Sequence, residues 1–341
     1  MTARKADITT VAKSAKVSAS TVSRYFNHPD LLKATTRKRI EAAVKRTGYI
    51  RNRAAQTIHG IRSGTIGILV PTLDHTIFAE VVQSFSDTVA EHGFTILLAS
   101  HGYDLQREYA ILRKFLEHRV DGVVLTGLEH DQAVFQLIDS QDVPCVLMWN
   151  HSRDAHYPSV GPDNADVGRL IAQHVLELGH KRVACMFPPI QGNDRALGRK
   201  QAVLDTLAEG GVDVPEAWQM NTVYSISASK RDTRALLDQS DRPTCLICCN
   251  DILATGAIYG AAASGFRVPE DLSIVGIGDF KGASEIEPAL TTVRLPAKAI
   301  GRETGRAIVQ QILKTAPVQD QPADCTPNLI VRKSSARVAT V

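Results

Sequence analysis

Within the first fifty or so residues the apolar side chains recur at helical spacing in runs too short to fold alone, so only packing three helices together can bury them. Ile8, Val11, Ala12 and Ala15 form the first stripe. After a break at 16–18, Val22, Tyr25 and Phe26 open a second apolar face within VSASTVSRYFN, residues 17–27. A third helix over about 35–47 supplies Ile40, Ala43 and Val44 and stops at Gly48, a residue suited to a helix C-terminus.

The second helix is the chemically interesting one. Ser18 is placed to accept a hydrogen bond from the free amides of the first turn, which sets Ala19, Ser20, Ser23 and Arg24 on the outward side. Short side chains let a helix backbone approach base edges in a major groove, while an arginine reaches a guanine edge or a phosphate. The same pattern also fits a small helical bundle with a solvated charged face, and charge separates the two readings. Residues 1–62 hold fourteen Lys and Arg against three Asp and Glu, whereas residues 63–341 hold 25 against 33. A basic block ahead of an acidic body is the footprint of phosphate binding by one end of the chain. A membrane surface fits less well, because no exposed aromatic and leucine face accompanies these cations.

The join, YIRNRAAQTIHGIRSG at 49–64, holds Arg51, Arg53 and Arg62 around a helix-competent run from Asn52 to Ile58. Asn52 can cap it. So short a helix with so few apolar residues orders only against a partner or DNA. Ile58 either packs on its own domain or acts as an apolar wedge that kinks DNA from the minor groove.

Beyond residue 63 the pattern changes to α/β. Apolar strand-like runs at 66–70, 95–99, 122–125, 145–148, 182–187, 244–248 and 273–277 alternate with amphipathic helical stretches, the rhythm of a doubly wound parallel sheet. The length of this part implies two similar halves, with the break near 159–163. Such bodies bind small ligands at the carboxyl ends of their strands. The loops at 73–78, 125–129, 149–151, 190–199, 250–251 and 278–281 therefore line a cleft. They bring Asp74, Asn150, Arg195, Arg199, Asn250 and Asp279 as hydrogen-bonding or charged groups and Phe78 and Trp149 as flat faces, which suits a polar, anionic, sugar-like ligand.

Taken together, VAKSAKVSASTVSRYFN, GYIRNRAAQTI, TIGILVP, DGVVLTG, VGPDN, LGHKR, CCNDILATGA, VPEDLSIVGIGD and PALTTVRLP resemble the LacI-type family of transcription regulators over essentially the whole chain. The resemblance implies an N-terminal three-helix helix-turn-helix head at 1–49, a hinge at 50–62, and a two-lobed body at 63–341. That body is periplasmic-binding-protein-like, with parallel doubly wound sheets. The first lobe is expected at 63–162 plus 292–322, the second at 163–291 plus 323–341. Carried over by position, Ala19 and Ser20 meet base edges, and Thr21, Ser23, Arg24 and Asn27 meet bases or backbone. Ser18, Tyr49, Asn52, Arg53 and Ala55 join the same DNA surface, with Ile58 as the minor-groove lever. In the body, Arg199 matches the arginine that grips ligand, and Asn250 with Asp251 matches an Asn-Asp pair. The chain departs from the family pattern at Lys16, where a turn glycine is usual, at Thr9 and Thr10, where an acidic or polar pair is expected, and at Ile58, where leucine is usual. At the last strand the expected Asp is Gly278, with Asp279 next. PTLDHTIFAEVV, HGYDLQREYAIL and RVDGVVLT look closest to the gluconate-type repressors, which implies an aldonate such as gluconate, or its phosphate, as effector.

Other classes fare worse. Gly276-x-Gly278 follows a strand but lacks the third glycine of a dinucleotide loop, and no P-loop, nucleophile elbow or HExxH helix is present. Cys245, Cys248 and Cys249 read as buried strand thiols, and His151 and His156 lack metal-ligand spacing. The expectation is therefore neither an enzyme nor a carrier of cofactor or metal. The polar start at 1–8 and the absence of a membrane-spanning run argue against an exported receptor, and six scattered cysteines suit a reducing cytoplasm. A single head makes few contacts, so a homodimer on a near-palindromic operator, with a tetramer left open, completes the expectation.

Overall fold

The computed structural model describes residues 6–51, 62–315 and 323–338. Two compact units divide at Ser63 and Gly64. In the first, α1 (Ile8–Ala15), α2 (Ala19–Asn27) and α3 (Ala34–Thr47) enclose Val11, Ala12, Ala15, Val22, Ile40 and Ala43. Each end has a local cause. Asp7 accepts from the Thr10 amide at 2.7 Å, and Ser18 accepts from the Thr21 amide at 3.2 Å. Lys16, at the place of the usual turn glycine, adopts φ 51° and still closes α1 with its own amide, so the turn forms despite the side chain.

In the second unit, β1 (Thr65–Val70), β2 (Thr95–Ser100), β3 (Gly122–Thr126), β4 (Cys145–Met148) and β5 (Ser159–Val160) form a parallel sheet in the order β2-β1-β3-β4-β5. The other sheet contains β6 (Val183–Phe187), β7 (Gln219–Asn221), β8 (Cys245–Cys248), β9 (Ser273–Gly278), β10 (Thr291–Arg294) and β11 (Asn328–Ile330), ordered β11-β10-β9-β8-β6-β7. Only the β10–β11 pair in it is antiparallel. The central strands are buried on both faces, which explains their continuous apolar runs. The expected boundary at residue 292 moves: Thr291–Arg294 pairs with β9 in the second sheet, and the return to the first lobe begins only with α11 (Ala297–Leu313).

Helices follow the strands because most start on a side chain that accepts from an amide of the first turn: Asp104 at α5 (Leu105–Glu117), Asp131 at α6 (Gln132–Gln141), Asp163 at α7 (Asn164–Glu177), Asn193 at α8 (Asp194–Glu209), Ser225 at α9 (Ile226–Leu237) and Asn250 at α10 (Asp251–Ala263). His75 precedes α4 (Thr76–Ala90) without such a bond. α11 lies against α4 because Gly301 carries no side chain there: a Cβ would press into the Val81 carbonyl and sit 3.0 Å from the Phe85 amide nitrogen. Replacing Gly301 with Ala should therefore lower the melting temperature, with a packing cost of about 1–3 kcal/mol outweighing the gain of roughly 1 kcal/mol in helix propensity. An unchanged or raised melting temperature would show that the two helices separate freely.

Candidate functional sites in the head and the body

On the head, Ser20 and Arg24 are exposed on α2, and Thr21, Ser23 and Asn27 are half-buried along the same helix. Ala19 packs partly onto the small core, so its methyl group is less available than the sequence reading placed it. Ser18 is committed to the helix start, bonding the Thr21 amide and the hydroxyls of Ser20 and Thr21. Asn27 accepts from the Arg51 guanidinium, and Tyr49 packs 6.0 Å from Phe26, so both also stabilise the head. Arg39 donates to the carbonyls of Ala15 at 2.6 Å and Lys16 at 3.0 Å, and Arg46 to that of Ser14 at 3.0 Å. These two cations neutralise the carbonyl end of α1 as well as adding to the basic field. Asn52, Arg53, Ala55 and Ile58 lie outside the described residues.

In the body a narrow cleft lies between the two sheets, with about 20 Å³ of free space. Phe78, Trp149, Arg195, Arg199 and Asn250 line it, as expected from the loops that carry them. His75, Tyr103, Asn193, Tyr224 and Phe280 line it too and were not singled out. His75, Asn193 and Phe280 fall inside the chosen loops. Tyr103 follows β2 and Tyr224 follows the three-residue β7, the two strand ends whose loops were not considered. Rings meet along the wall: Phe78 and Trp149 at 5.2 Å, His75 and Tyr224 at 4.9 Å, and Tyr103 stacked on Tyr224 at 6.0 Å. Burial lowers the pKa of His75, keeping its ring uncharged at neutral pH.

Four residues expected at the ligand stand outside the cleft lining. Asp74 is exposed and stands outside the lining. Asn150 donates instead to Asp194 at 2.8 Å. Asp251 is buried behind the cleft, accepting from the Phe280 amide at 2.8 Å and the Thr292 hydroxyl at 2.7 Å. Asp279 is held by Arg294 at 2.6 Å and Arg332 at 2.8 Å. Asp251 and Asp279 find partners within their own lobe because the loops that bring them to the strand ends also bring donors.

The two arginines differ in the same way. Arg195 pairs with Asp194 at 2.8 Å and donates to the Thr126 carbonyl at 3.1 Å. Arg199 has only its Nε committed, to the Arg195 carbonyl at 3.1 Å, and no carboxylate among the described residues lies within ion-pair distance. Desolvation lowers its pKa, the response of a buried cation without a counter-charge. Its other two nitrogens have no hydrogen-bond partner among the described residues and belong to a residue that lines the cleft.

Two lobes with parallel sheets, a ring-lined cleft at their strand ends and a helix-turn-helix unit define a DNA-binding regulator with a small-molecule receptor. The family models agree: that for bacterial regulatory proteins of the lacI family matches residues 7–52, and that for the periplasmic binding protein-like domain matches 172–335. The chain belongs to the LacI family of transcriptional regulators. It is 30% identical over 334 residues to the HTH-type transcriptional repressor PurR of Klebsiella pneumoniae subsp. pneumoniae, covering 97% of both chains. It also resembles the lac repressor dimer bound to operator and the anti-inducer ONPF, with TM-score 0.86 and 24% identity over 98% of this chain and 100% of that one. The transcriptional regulator CelR in its cellobiose complex gives TM-score 0.69 and 28% identity over 96% and 99%. Membership makes this chain a DNA-binding repressor with a ligand-binding body, not an enzyme. Among the described residues no helix is long and apolar enough to cross a membrane.

Two outcomes test these assignments. Arg24→Ala should weaken operator binding by about 1–3 kcal/mol in a fluorescence anisotropy titration at fixed moderate salt, and unchanged affinity would remove Arg24 from the contact surface. Burial pushes Asp251 up to about 6, against the bonds from Thr292 and Phe280 that favour its charged form. The folded protein thus holds this proton more tightly than the unfolded chain. The stability it lends is complete below the ordinary carboxylate pKa of about 4 and is lost as pH rises through about 6. The melting temperature of the native protein relative to Asp251→Asn should fall across that window, and a difference independent of pH would contradict the raised pKa.

Proposed function

We propose that the protein represses genes of sugar-acid or carbohydrate metabolism in the bacterial cytoplasm, and that an aldonate such as gluconate, or its phosphate, sets its grip on operator DNA. The observation that carries this reading is the buried Arg199 guanidinium facing the cleft without a carboxylate partner among the described residues. A carboxylate or phosphate supplies the missing charge through two parallel hydrogen bonds. Phe78, Trp149 and Tyr224 offer faces for the carbon skeleton, and Asn250 and Asn193 offer amides to hydroxyl groups. The cellobiose complex of CelR supports a carbohydrate in a cleft of this architecture.

A homodimer binding a near-palindrome supports the operator selectivity that one head lacks, in keeping with the dimeric assembly of the lac repressor. Ligand acts by favouring one arrangement of the lobes and so changing DNA affinity, in an amount fixed by its differential affinity for the two arrangements.

The continuous ring wall favours one second reading, a flat heterocycle such as a purine base stacked among the rings, which leaves the charge of Arg199 unanswered. A thermal-shift panel decides between them. Aldonates and their phosphates should raise the melting temperature of the native protein, and Arg199→Gln should abolish the shift while leaving the ligand-free protein folded. Stabilisation by purine bases alone, surviving Arg199→Gln, would overturn the sugar-acid assignment.

A further inference from the structure

The contacts of Asp194 lead beyond ligand recognition to what holds the lobes together. Asp194 is the first residue of α8 (Asp194–Glu209), in the second lobe, yet its carboxylate is used by the first. Oδ2 accepts from the Leu128 amide at 2.9 Å and from the Asn150 side-chain amide at 2.8 Å, residues that follow β3 and β4. Oδ1 accepts from Arg195 at 2.8 Å, and Arg195 crosses the cleft to the Thr126 carbonyl at 3.1 Å. Three charge-assisted bonds therefore span the lobes, and none involves a ligand.

Two glycines allow the approach. Gly127, at φ 99°, would place a Cβ 2.5 Å from Asp194 Oδ1, and Gly192, at φ 62°, would place one 2.6 Å from the Tyr103 carbonyl oxygen of the opposite lobe. The loop on the receiving side is itself fixed: His130 bonds the Gly127 carbonyl at 3.1 Å and the buried Glu108 carboxylate at 2.9 Å. Arg199 sits one turn further along α8, its Nε bound to the Arg195 carbonyl, so seating the start of α8 also sets Arg199 against the rings of the first lobe.

We infer that Asp194 is a ligand-independent latch and a positioning residue: it holds the lobes closed and thereby places Arg199 for the effector. Its positioning role rests on the ligand reading above, whereas closure itself does not. The latch raises effector affinity by the factor by which it enriches the closed form. Losing the two cross-lobe bonds that Asp194 accepts shifts the closed-to-open ratio by about tenfold or more, since one charge-assisted bond alone corresponds to about that factor.

The test uses the full chain without ligand. The protein has two tryptophans, so Trp218→Phe leaves Trp149, buried in the cleft wall, as the sole reporter. In that background Asp194→Ala and, independently, Gly127→Ala should raise acrylamide quenching of Trp149 with an unchanged far-UV circular dichroism spectrum. Arg199→Gln should not, because it removes no bond across the cleft. Unchanged quenching in both latch variants overturns the proposal, as does an equal rise in Arg199→Gln, which would make closure a property of general packing. If Asp194→Ala fails to fold, Gly127→Ala decides. Failure of every sugar acid to stabilise the protein would sink the effector assignment and leave the quenching result standing.

Discussion

A buried guanidinium with no counter-charge organises the ligand-binding body. Leaving Arg199 desolvated costs free energy, visible as its lowered pKa, and a fold retains such a group only when something else keeps it in place. Here the helix that carries it is fixed at its first turn by Asp194 and Arg195 and capped by Asn193, which also donates to the Tyr224 hydroxyl at 3.1 Å. The charge is thus pre-placed, and an anion entering the cleft meets donors that need no reorganisation.

The acidic groups around the cleft obey the complementary rule. Asp251, Asp279 and Asp194 sit at strand ends or helix starts and each is consumed by donors from the protein itself. Had any of them faced Arg199 directly, the cation would have been neutralised within the protein. On the head, the arrangement is reversed in purpose: Arg39 and Arg46 tie α1 to α3 through carbonyls, where no carboxylate competes, so their positive charge persists beside α2.

Much of this was legible in the sequence, for identifiable reasons. The three head helices and the seven long strands follow from periodicity and capping side chains, both local properties. The strands β5, β7, β10 and β11 were missed because they are short and not continuously apolar, unlike the CVLM of β4 and CLIC of β8, and with β7 went Tyr224. A place in a strand-end loop did not tell which polar side chains line the cleft: Asp74, Asn150, Asp251 and Asp279 stand outside the lining, and Asp194, partner of Asn150, was not singled out. Whether a polar group faces a ligand or a protein donor depends on side chains distant in sequence, such as Arg294, Arg332 and Thr292. Arg199 and Arg195 both came from the loop at 190–199, and the resemblance singled out Arg199; which of the two has a carboxylate partner depends on Asp194 and is not a property of the loop pattern.

That difference between two arginines one turn apart bears on how a ligand changes such a protein. A ligand with equal affinity for open and closed lobes shifts nothing, however tightly it binds. Arg199 distinguishes the two forms only if the rings opposite it come and go with lobe separation, and Phe78 and Trp149 belong to the first lobe while Arg199 belongs to the second. Binding energy is then realised in full only when the lobes are together. Contacts that already favour closure raise affinity but reduce the remaining population to be shifted, so the strength of the Asp194 contacts sets a balance between sensitivity to effector and amplitude of response.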